Sequence, residues 1–224
     1  MVQSKTMKLL ITGATGLVGA EVLRQAISDA AIDELFLLVR SNPQIQHPKI
    51  RVILHQDFLD YTPAAIYFTK ADAITWCLGI SQTQVSKKKY EEITYGYTRA
   101  CAEFCKQRCP SIRFVFVSGD GADRTEKSNT LFKRIKGKAE NAILRSGLQN
   151  IVIARPDAVR PKHKNKKAPF LYKLIYPLFP LVEKFAPHKI IWSDTLAKAL
   201  LKLAKFGNEK NTLENTELRK LGTE

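Results

Sequence analysis

Three glycines spaced three residues apart, Gly13, Gly16 and Gly19, lie between a short apolar run and the start of a helical pattern. The first allows a sharp turn, the second lets the backbone approach a pyrophosphate, and the third lets the helix pack closely. The new helix offers free N–H groups and the positive end of its dipole to phosphate. The segment therefore predicts a nucleotide-binding loop, with a glycine-rich packing turn as the alternative. Its predicted contacts are Gly13, Thr15, Gly16, Leu17, Val18 and Gly19.

Arg40 and Ser41 follow the second apolar run, at the point where dinucleotide-binding folds hold a cofactor ribose. An acidic residue there would accept a hydrogen bond from the ribose 2′-hydroxyl of NAD. A guanidinium followed by a small hydroxyl suits a 2′-phosphate instead, so the pair favours NADP(H) over NAD(H). A solvated surface arginine is the alternative.

The Gly-x-x-Gly-x-x-Gly spacing resembles that of the short-chain dehydrogenase/reductase superfamily. From Lys8 to about Lys205 the chain is most similar to atypical and extended members of the NmrA-like and Tat-interacting-protein-like type, also described as nucleoside-diphosphate-sugar epimerase-like. The most specific stretches are Val117–Asp123, Lys136–Glu140 and Ile153–Pro156. This resemblance implies a Rossmann fold and a nicotinamide dinucleotide cofactor.

The resemblance also implies cofactor contacts after the later strands. Asp57 and Phe58 occupy the place of a pair that flanks adenine. The turn Cys77-Leu78-Gly79 matches one that lines the ribose, and a purely structural turn explains Gly79 equally well. Arg155 and Pro156, with Asp157 after them, match residues that abut the nicotinamide end.

The catalytic residues of the family are matched only in part. Ser118 stands where the family carries its catalytic serine, and Lys136 matches the lysine of Tyr-x-x-x-Lys, where it holds the cofactor ribose. Phe132 stands in the tyrosine position, and phenylalanine cannot pass a proton to a substrate oxygen. Tyr97 matches a tyrosine common in the subgroup and is a candidate replacement. An aromatic packing patch formed with Tyr90 and Tyr95 is the favoured alternative for it.

Apolar runs alternate with amphipathic stretches along the first two thirds of the chain. Strands are predicted at Met7–Thr12, Leu35–Val39, Ile50–Leu54, Ala73–Cys77, Arg113–Ser118 and Asn150–Ala154. Helices are predicted at Leu17–Ser28, after Thr62, at Tyr90–Arg108 and at Leu131–Ser146. The alternation indicates an α/β fold with a doubly wound parallel sheet, the Rossmann fold. Such a sheet gathers the residues that follow its strands at one edge.

The length of 224 residues suits one NAD(P)-binding domain spanning residues 1–224. After Pro156 the pattern breaks into loops, prolines and two helices. Residues 157–206 are therefore expected to form a small helical lobe on the substrate side. Residues 207–224 are polar and are expected to form a frayed tail.

The chain carries 36 Lys and Arg against 21 Asp and Glu, a net charge of +15. Residues 124–173 hold 14 of these cations and 3 of these acids, including the run Lys162–Lys167. Attraction of the cofactor and of an anionic small-molecule substrate is one explanation. Binding to nucleic acid or to an anionic membrane surface, with Phe170–Phe179 as an interfacial segment, is less favoured. A solvated basic loop that aids solubility is the favoured explanation of the three, and the oligomeric state stays open.

Cys101, Cys105 and Cys109 recur every four residues along a predicted helix. A stripe of small apolar side chains is favoured over a metal or redox cluster, because free cysteine is commonly buried; no metal site is predicted. The first strand begins without a secretory signal before it, and the longest apolar stretch, Phe170–Phe185, contains charges and prolines. A cytoplasmic protein is expected.

These residues predict an NADP(H)-binding reductase or epimerase-like oxidoreductase acting on a small carbonyl or sugar-nucleotide substrate. The absence of a tyrosine at Phe132 favours one alternative, a non-catalytic NADP(H)-sensing regulatory protein.

Overall fold

The computed structural model describes residues 6–163 and 186–224. Seven strands form one fully parallel sheet in the order β3-β2-β1-β4-β5-β6-β9, and β7 pairs with β8 in a separate two-stranded sheet. The strands are β1 Met7–Thr12, β2 Ile32–Val39, β3 Ile50–Leu54, β4 Ala73–Trp76, β5 Arg113–Val117, β6 Asn150–Arg155, β7 Ala158–Arg160, β8 Ile190–Trp192 and β9 Thr212–Glu214. The predicted doubly wound α/β fold is confirmed.

Seven α-helices connect or cover these strands in the described ranges. They are α1 Leu17–Ser28, α2 Ala65–Lys70, α3 Lys87–Glu91, α4 Tyr97–Arg108, α5 Leu131–Arg145, α6 Ser193–Phe206 and α7 Asn215–Thr223. A π-helical turn, Glu92–Gly96, joins α3 to α4. Each of these helices is too short or too polar to cross a lipid bilayer.

Apolar side chains on the two faces of the sheet form two separate cores. Leu9 and Ile11 face the layer that contains α1 and α6, whereas Leu10 faces the layer that contains α2, α4 and α5. Strands covered on both faces have nearly continuous apolar sequences, which is why the runs could be recognised. Cys101 and Cys105 are buried in the second core, as the apolar-stripe interpretation predicts.

The C-terminal third differs from the expected lobe. Helix α6 packs on α1, and Leu196, Leu200 and Leu203 are fully buried in the first core. Residues 193–206 are therefore a covering layer of the main sheet, a correction to the lobe predicted over 157–206. The run Lys164–Lys167 and the segment Phe170–Phe185 lie outside the described residues.

Residues 207–224 also differ from the expected frayed tail. Strand β9 pairs in parallel with β6, and α7 follows it with a capping box formed by Glu214 and Glu217. Leu218 is fully buried against the first core. The sequence around it is polar because only one face of α7 is buried, so overall polarity misled the prediction.

Candidate functional site

The glycine loop lies between β1 and β4, where the strand order reverses and open sheets bind their ligands. Gly13 has a φ of +66°, and a Cβ there would lie 2.5 Å from the carbonyl oxygen of Cys77. A Cβ on Gly19 would lie 2.2 Å from the carbonyl oxygen of Gly13. Both positions therefore require glycine, one for its conformation and close approach and the other for helix packing.

The first turn of α1 follows the glycine loop at the same crevice. Gly16 is the N-cap residue of α1, and because it has no side chain it makes no capping hydrogen bond. The first turn of the helix contains no acidic residue. The amides of Leu17, Val18 and Gly19 therefore have no partner within the helix. Thr15 and Gly16 are exposed, and Leu17 and Val18 are half-buried. The loop can accept an anion of pyrophosphate size at a positive helix end.

Arg40 and Ser41 lie at the end of β2, the neighbour of β1 in the sheet. Both residues are exposed, and the Arg40 carbonyl accepts a 2.6 Å hydrogen bond from Gln56 Nε2. Within residues 6–163 and 186–224, the Arg40 guanidinium has no ion-pair partner. This arrangement leaves a cation available to an anionic group beside the glycine loop.

The two residues predicted to flank adenine differ in position. Asp57 is exposed after β3, and its Oδ1 accepts a 2.9 Å hydrogen bond from the Leu59 amide. Phe58 is only 2% exposed and stacks on Tyr97 with ring centroids 5.5 Å apart. Phe58 is a core side chain, a correction to its expected contact with the cofactor.

The turn after β4 forms the opposite wall of the glycine loop. The Leu78 amide donates a 3.3 Å hydrogen bond to Thr12 Oγ1, which fixes the turn to β1. Burial raises the pKa of the Cys77 thiol to about 12, so the thiol is neutral at physiological pH. A Cβ on Gly79 would meet nothing within 4 Å, so steric constraint does not explain glycine there.

Lys136 lies on α5 beneath the end of β5. Its Nζ donates a 3.0 Å hydrogen bond to the Val117 carbonyl and lies 5.1 Å from the centroid of the Phe116 ring. Burial lowers the pKa of Lys136 to about 8, an effect that Glu140 and Cys77 partly offset. An ammonium at the sheet edge suits hydrogen bonding to ribose hydroxyls.

Phe132 lies one helical turn before Lys136, so the spacing of the family motif is retained without its hydroxyl. The ring points at Gly119, where an added Cβ would lie 2.6 Å from Phe132 Cζ. The Phe132 side chain therefore cannot donate or accept a proton.

The Ser118 hydroxyl is already bonded to another side chain. Ser118 is 6% exposed, and its Oγ donates a 2.5 Å hydrogen bond to Glu140 Oε1. Arg155 also donates to Glu140, at 2.9 Å through Nε and 2.6 Å through Nη2, and its Nη1 lies 3.1 Å from Glu214 Oε1. Because the guanidinium is occupied in this way, the structure does not direct Arg155 toward a cofactor. Pro156 is buried beside it.

The contacts of Tyr97 are with residues other than Ser118 and Lys136. Its hydroxyl donates a 3.0 Å hydrogen bond to Glu92 Oε1, and its ring packs on Phe58. The structure thus brings Ser118 and Lys136 together at the end of β5 and leaves Tyr97 in an aromatic patch.

A polar cavity of about 390 Å³ lies beyond the ends of β6 and β9. Asp120 and Asp157 line it with Lys189, whose Nζ is 3.6 Å and 3.4 Å from their carboxylates. Burial and the nearby Asp120 raise the pKa of Asp157, and Lys189 partly offsets this. Sequence reasoning missed this cavity because Lys189 and β9 are distant in sequence. Asp120 and Asp157 each come two residues after Ser118 and Arg155, which was the available signal.

Comparison with known proteins agrees with the nucleotide-binding geometry. A family described as NAD(P)H-binding matches residues 13–173. Protein FMP52, mitochondrial, from Lodderomyces elongisporus is 28% identical over 169 residues, covering 71% of this chain and 69% of the relative.

Two solved structures show the same fold. The Bordetella bronchiseptica enzyme WbmF in complex with NAD+ aligns with a TM-score of 0.72 at 13% identity, covering 99% of this chain and 78% of that one. MoeE5 in complex with UDP-glucose and NAD aligns with a TM-score of 0.67 at 13% identity, covering 92% and 75%.

The expected cytoplasmic location is wrong on this comparison. The relative from Lodderomyces elongisporus is named as a mitochondrial protein, and relatives from Candida albicans and Debaryomyces hansenii carry the same name. A first strand that begins near the N-terminus was a poor basis for the expectation, because secretion signals are only one class of targeting segment.

Proposed function

Because the chain belongs to the NAD(P)H-binding family, we propose that it binds NADP(H) in preference to NAD(H) and acts as an oxidoreductase. The substrate class that the site favours is a small carbonyl compound or a sugar nucleotide. The observation that supports the proposal is a pair of neighbouring groups. The first turn of α1 has amides without a capping side chain, and Arg40 beside it has no ion-pair partner in the described part of the chain.

Each part of the dinucleotide has a group of matching chemistry. The amides of Leu17 and Val18 suit the pyrophosphate, and Arg40 with Ser41 suits a 2′-phosphate. Lys136 suits the hydroxyls of the nicotinamide ribose. When bound, the reduced cofactor would supply a hydride, and these residues would hold and orient the cofactor.

The cavity lined by Asp120 and Asp157 supports a polar substrate. Its carboxylates accept hydrogen bonds from hydroxyl groups, and the Lys189 ammonium between them supplies a donor. WbmF has been solved with NAD+ and UDP, and MoeE5 with UDP-glucose and NAD, which supports a sugar nucleotide here by analogy of fold.

A second candidate function is cofactor sensing without turnover. None of the three residues expected to move a proton has a free hydroxyl. Phe132 has no hydroxyl, and the hydroxyls of Ser118 and Tyr97 donate to Glu140 and to Glu92. Such a protein would bind NADP(H) and change its conformation or partners rather than reduce a substrate.

One experiment separates the two candidates. Purified protein is mixed with NADPH and a panel of carbonyl compounds and sugar nucleotides, and nucleotide oxidation is followed by absorbance. Oxidation that Lys136→Met removes supports the oxidoreductase. Tight binding with no oxidation, together with hydrogen exchange that NADPH slows beyond the glycine loop, supports the sensor. If NADPH does not bind to the protein, both candidate functions are contradicted.

A further inference from the structure

Glu140 on α5 carries a fully buried carboxylate, which lies beside Ser118 at the end of β5. It accepts hydrogen bonds from Ser118 Oγ at 2.5 Å, from Arg124 Nε at 2.7 Å and from Arg155 at 2.9 Å and 2.6 Å. A buried carboxylate is costly unless its oxygens are paired in this way. The serine hydroxyl and the two guanidinium groups therefore satisfy both oxygens of the buried Glu140 carboxylate.

The partners of Glu140 come from several strands that end at the site. Ser118 follows β5, Arg155 ends β6, and Arg124 lies in the connection from β5 to α5. Arg124 Nη2 also donates a 2.8 Å hydrogen bond to Thr212 Oγ1 on β9. Glu140 thus fixes α5 against three neighbouring strands.

Lys136 lies four residues before Glu140 on the same face of α5. The other groups against the Lys136 ammonium are the Val117 carbonyl, the Phe116 ring and the neutral Cys77 thiol. Among the described residues, Glu140 is the one carboxylate whose charge acts on the Lys136 ammonium. The two side chains form no direct ion pair; they bond consecutive residues, since Lys136 donates to the Val117 carbonyl and Glu140 accepts from the Ser118 hydroxyl. Glu140 also neutralises Arg124 and Arg155, whose charge would otherwise oppose that ammonium.

We propose that Glu140 is a positioning residue whose carboxylate fixes the Ser118 hydroxyl by a hydrogen bond and, from one helical turn away, supports the charge of the Lys136 ammonium that would hold the cofactor. The consequence for binding rests on the function proposed above, in which Lys136 contacts the nicotinamide ribose. The effect on Lys136 itself belongs to the free protein and needs no nucleotide.

A purely structural role would give a different result. If Glu140 only pinned α5 to the sheet, its replacement would lower stability without moving the titration of Lys136. If its charge supports Lys136, removing that charge shifts the titration to lower pH, because burial and two uncompensated arginines then oppose the ammonium.

The test follows acetylation of Lys136 by acetic anhydride against pH, with mass spectrometry, in protein free of nucleotide. The wild-type midpoint is expected near 8. Glu140→Gln is expected to lower it by about one pH unit. Arg124→Gln is expected to raise it, because it removes a cation that competes for Glu140. Glu126→Gln is the matched control, since Glu126 bonds Asn141 on α5 and its charge is not among those that act on Lys136.

A midpoint that stays unchanged in Glu140→Gln overturns the proposal. If that variant does not fold, Arg124→Gln decides, because the Arg124 side chain is 34% exposed and its loss is better tolerated; no rise in its midpoint then overturns the proposal. Calorimetric titration of the same proteins with NADPH separates the two claims. Shifted midpoints with no NADPH binding leave the Glu140 role standing and remove the proposed function.

Discussion

The two halves of the site are built from different parts of the chain. The glycine loop between β1 and α1 offers backbone amides that have no hydrogen-bond partner within α1. The region at the end of β5 is made of side chains that already bond one another through Glu140. The first half is ready to bind a ligand, whereas the second is held as a fixed network. Under the proposed function, cofactor binding and proton transfer therefore depend on different residues.

The largest expected effect comes from Gly19→Ala, which adds a methyl group where α1 packs against the glycine loop. The new Cβ would lie 2.2 Å from the Gly13 carbonyl oxygen, so the loop or the helix must move. We expect a loss of about 3 kcal/mol in the free energy of unfolding, measured by urea denaturation, and loss of nucleotide binding. Gly79→Ala is the control, because a Cβ there meets nothing within 4 Å. Equal stability of both variants would contradict the role of Gly19.

Ser118→Ala tests whether the second half is a network. The variant removes a hydrogen bond to a buried carboxylate, so we expect a loss of about 2 kcal/mol in the free energy of unfolding. Ser111→Ala, at an exposed position, serves as the control in the same denaturation series. A Ser118→Ala protein as stable as that control would show that the hydroxyl is free.

Phe132→Tyr restores the family residue but not its surroundings. The ring tip points at Gly119, so an added hydroxyl has too little space, and we expect destabilisation of about 1–2 kcal/mol. We also expect no gain in NADPH oxidation. Phe206→Tyr adds the same hydroxyl at a residue that is 76% exposed and should change neither property. A more stable or faster Phe132→Tyr protein would argue that the tyrosine was lost without repacking.

Lys136 links the two halves, and its titration has a defined sign. Burial lowers the pKa of Lys136 to about 8 from an ordinary 10.5, so between these pH values the folded protein binds fewer protons than the unfolded chain. Stability from this group therefore rises with pH across that window. The free energy of unfolding of wild type minus that of Lys136→Met should increase from pH 8 to pH 10.5. A flat or falling difference would mean that Lys136 is not desolvated.

Sequence alone was sufficient where backbone geometry depends on local residue types. The bounds of β1, β3 and α1 were predicted correctly, because apolar runs and glycine spacing are local signals. It was insufficient where partners are distant along the chain. Phe58 is core because Tyr97 and His55 surround it, and α6 covers the sheet because its apolar face meets α1. The resemblance singled out the stretches that contain Ser118, Glu140 and Arg155, but nothing in their spacing showed that these three side chains bond one another.

The central claim is that the site at the glycine loop and Arg40 prefers NADP(H) to NAD(H). Calorimetric titration tests this claim most directly. Wild-type protein and Arg40→Ala are each titrated with NADPH and with NADH, with Arg99→Ala on α4 as a surface-arginine control. We predict tighter binding of NADPH, a loss of roughly 1.5–3 kcal/mol in NADPH binding for Arg40→Ala, and unchanged binding of NADH. Equal affinity for the two nucleotides, or an Arg40→Ala protein that binds NADPH as the wild type does, would contradict the account.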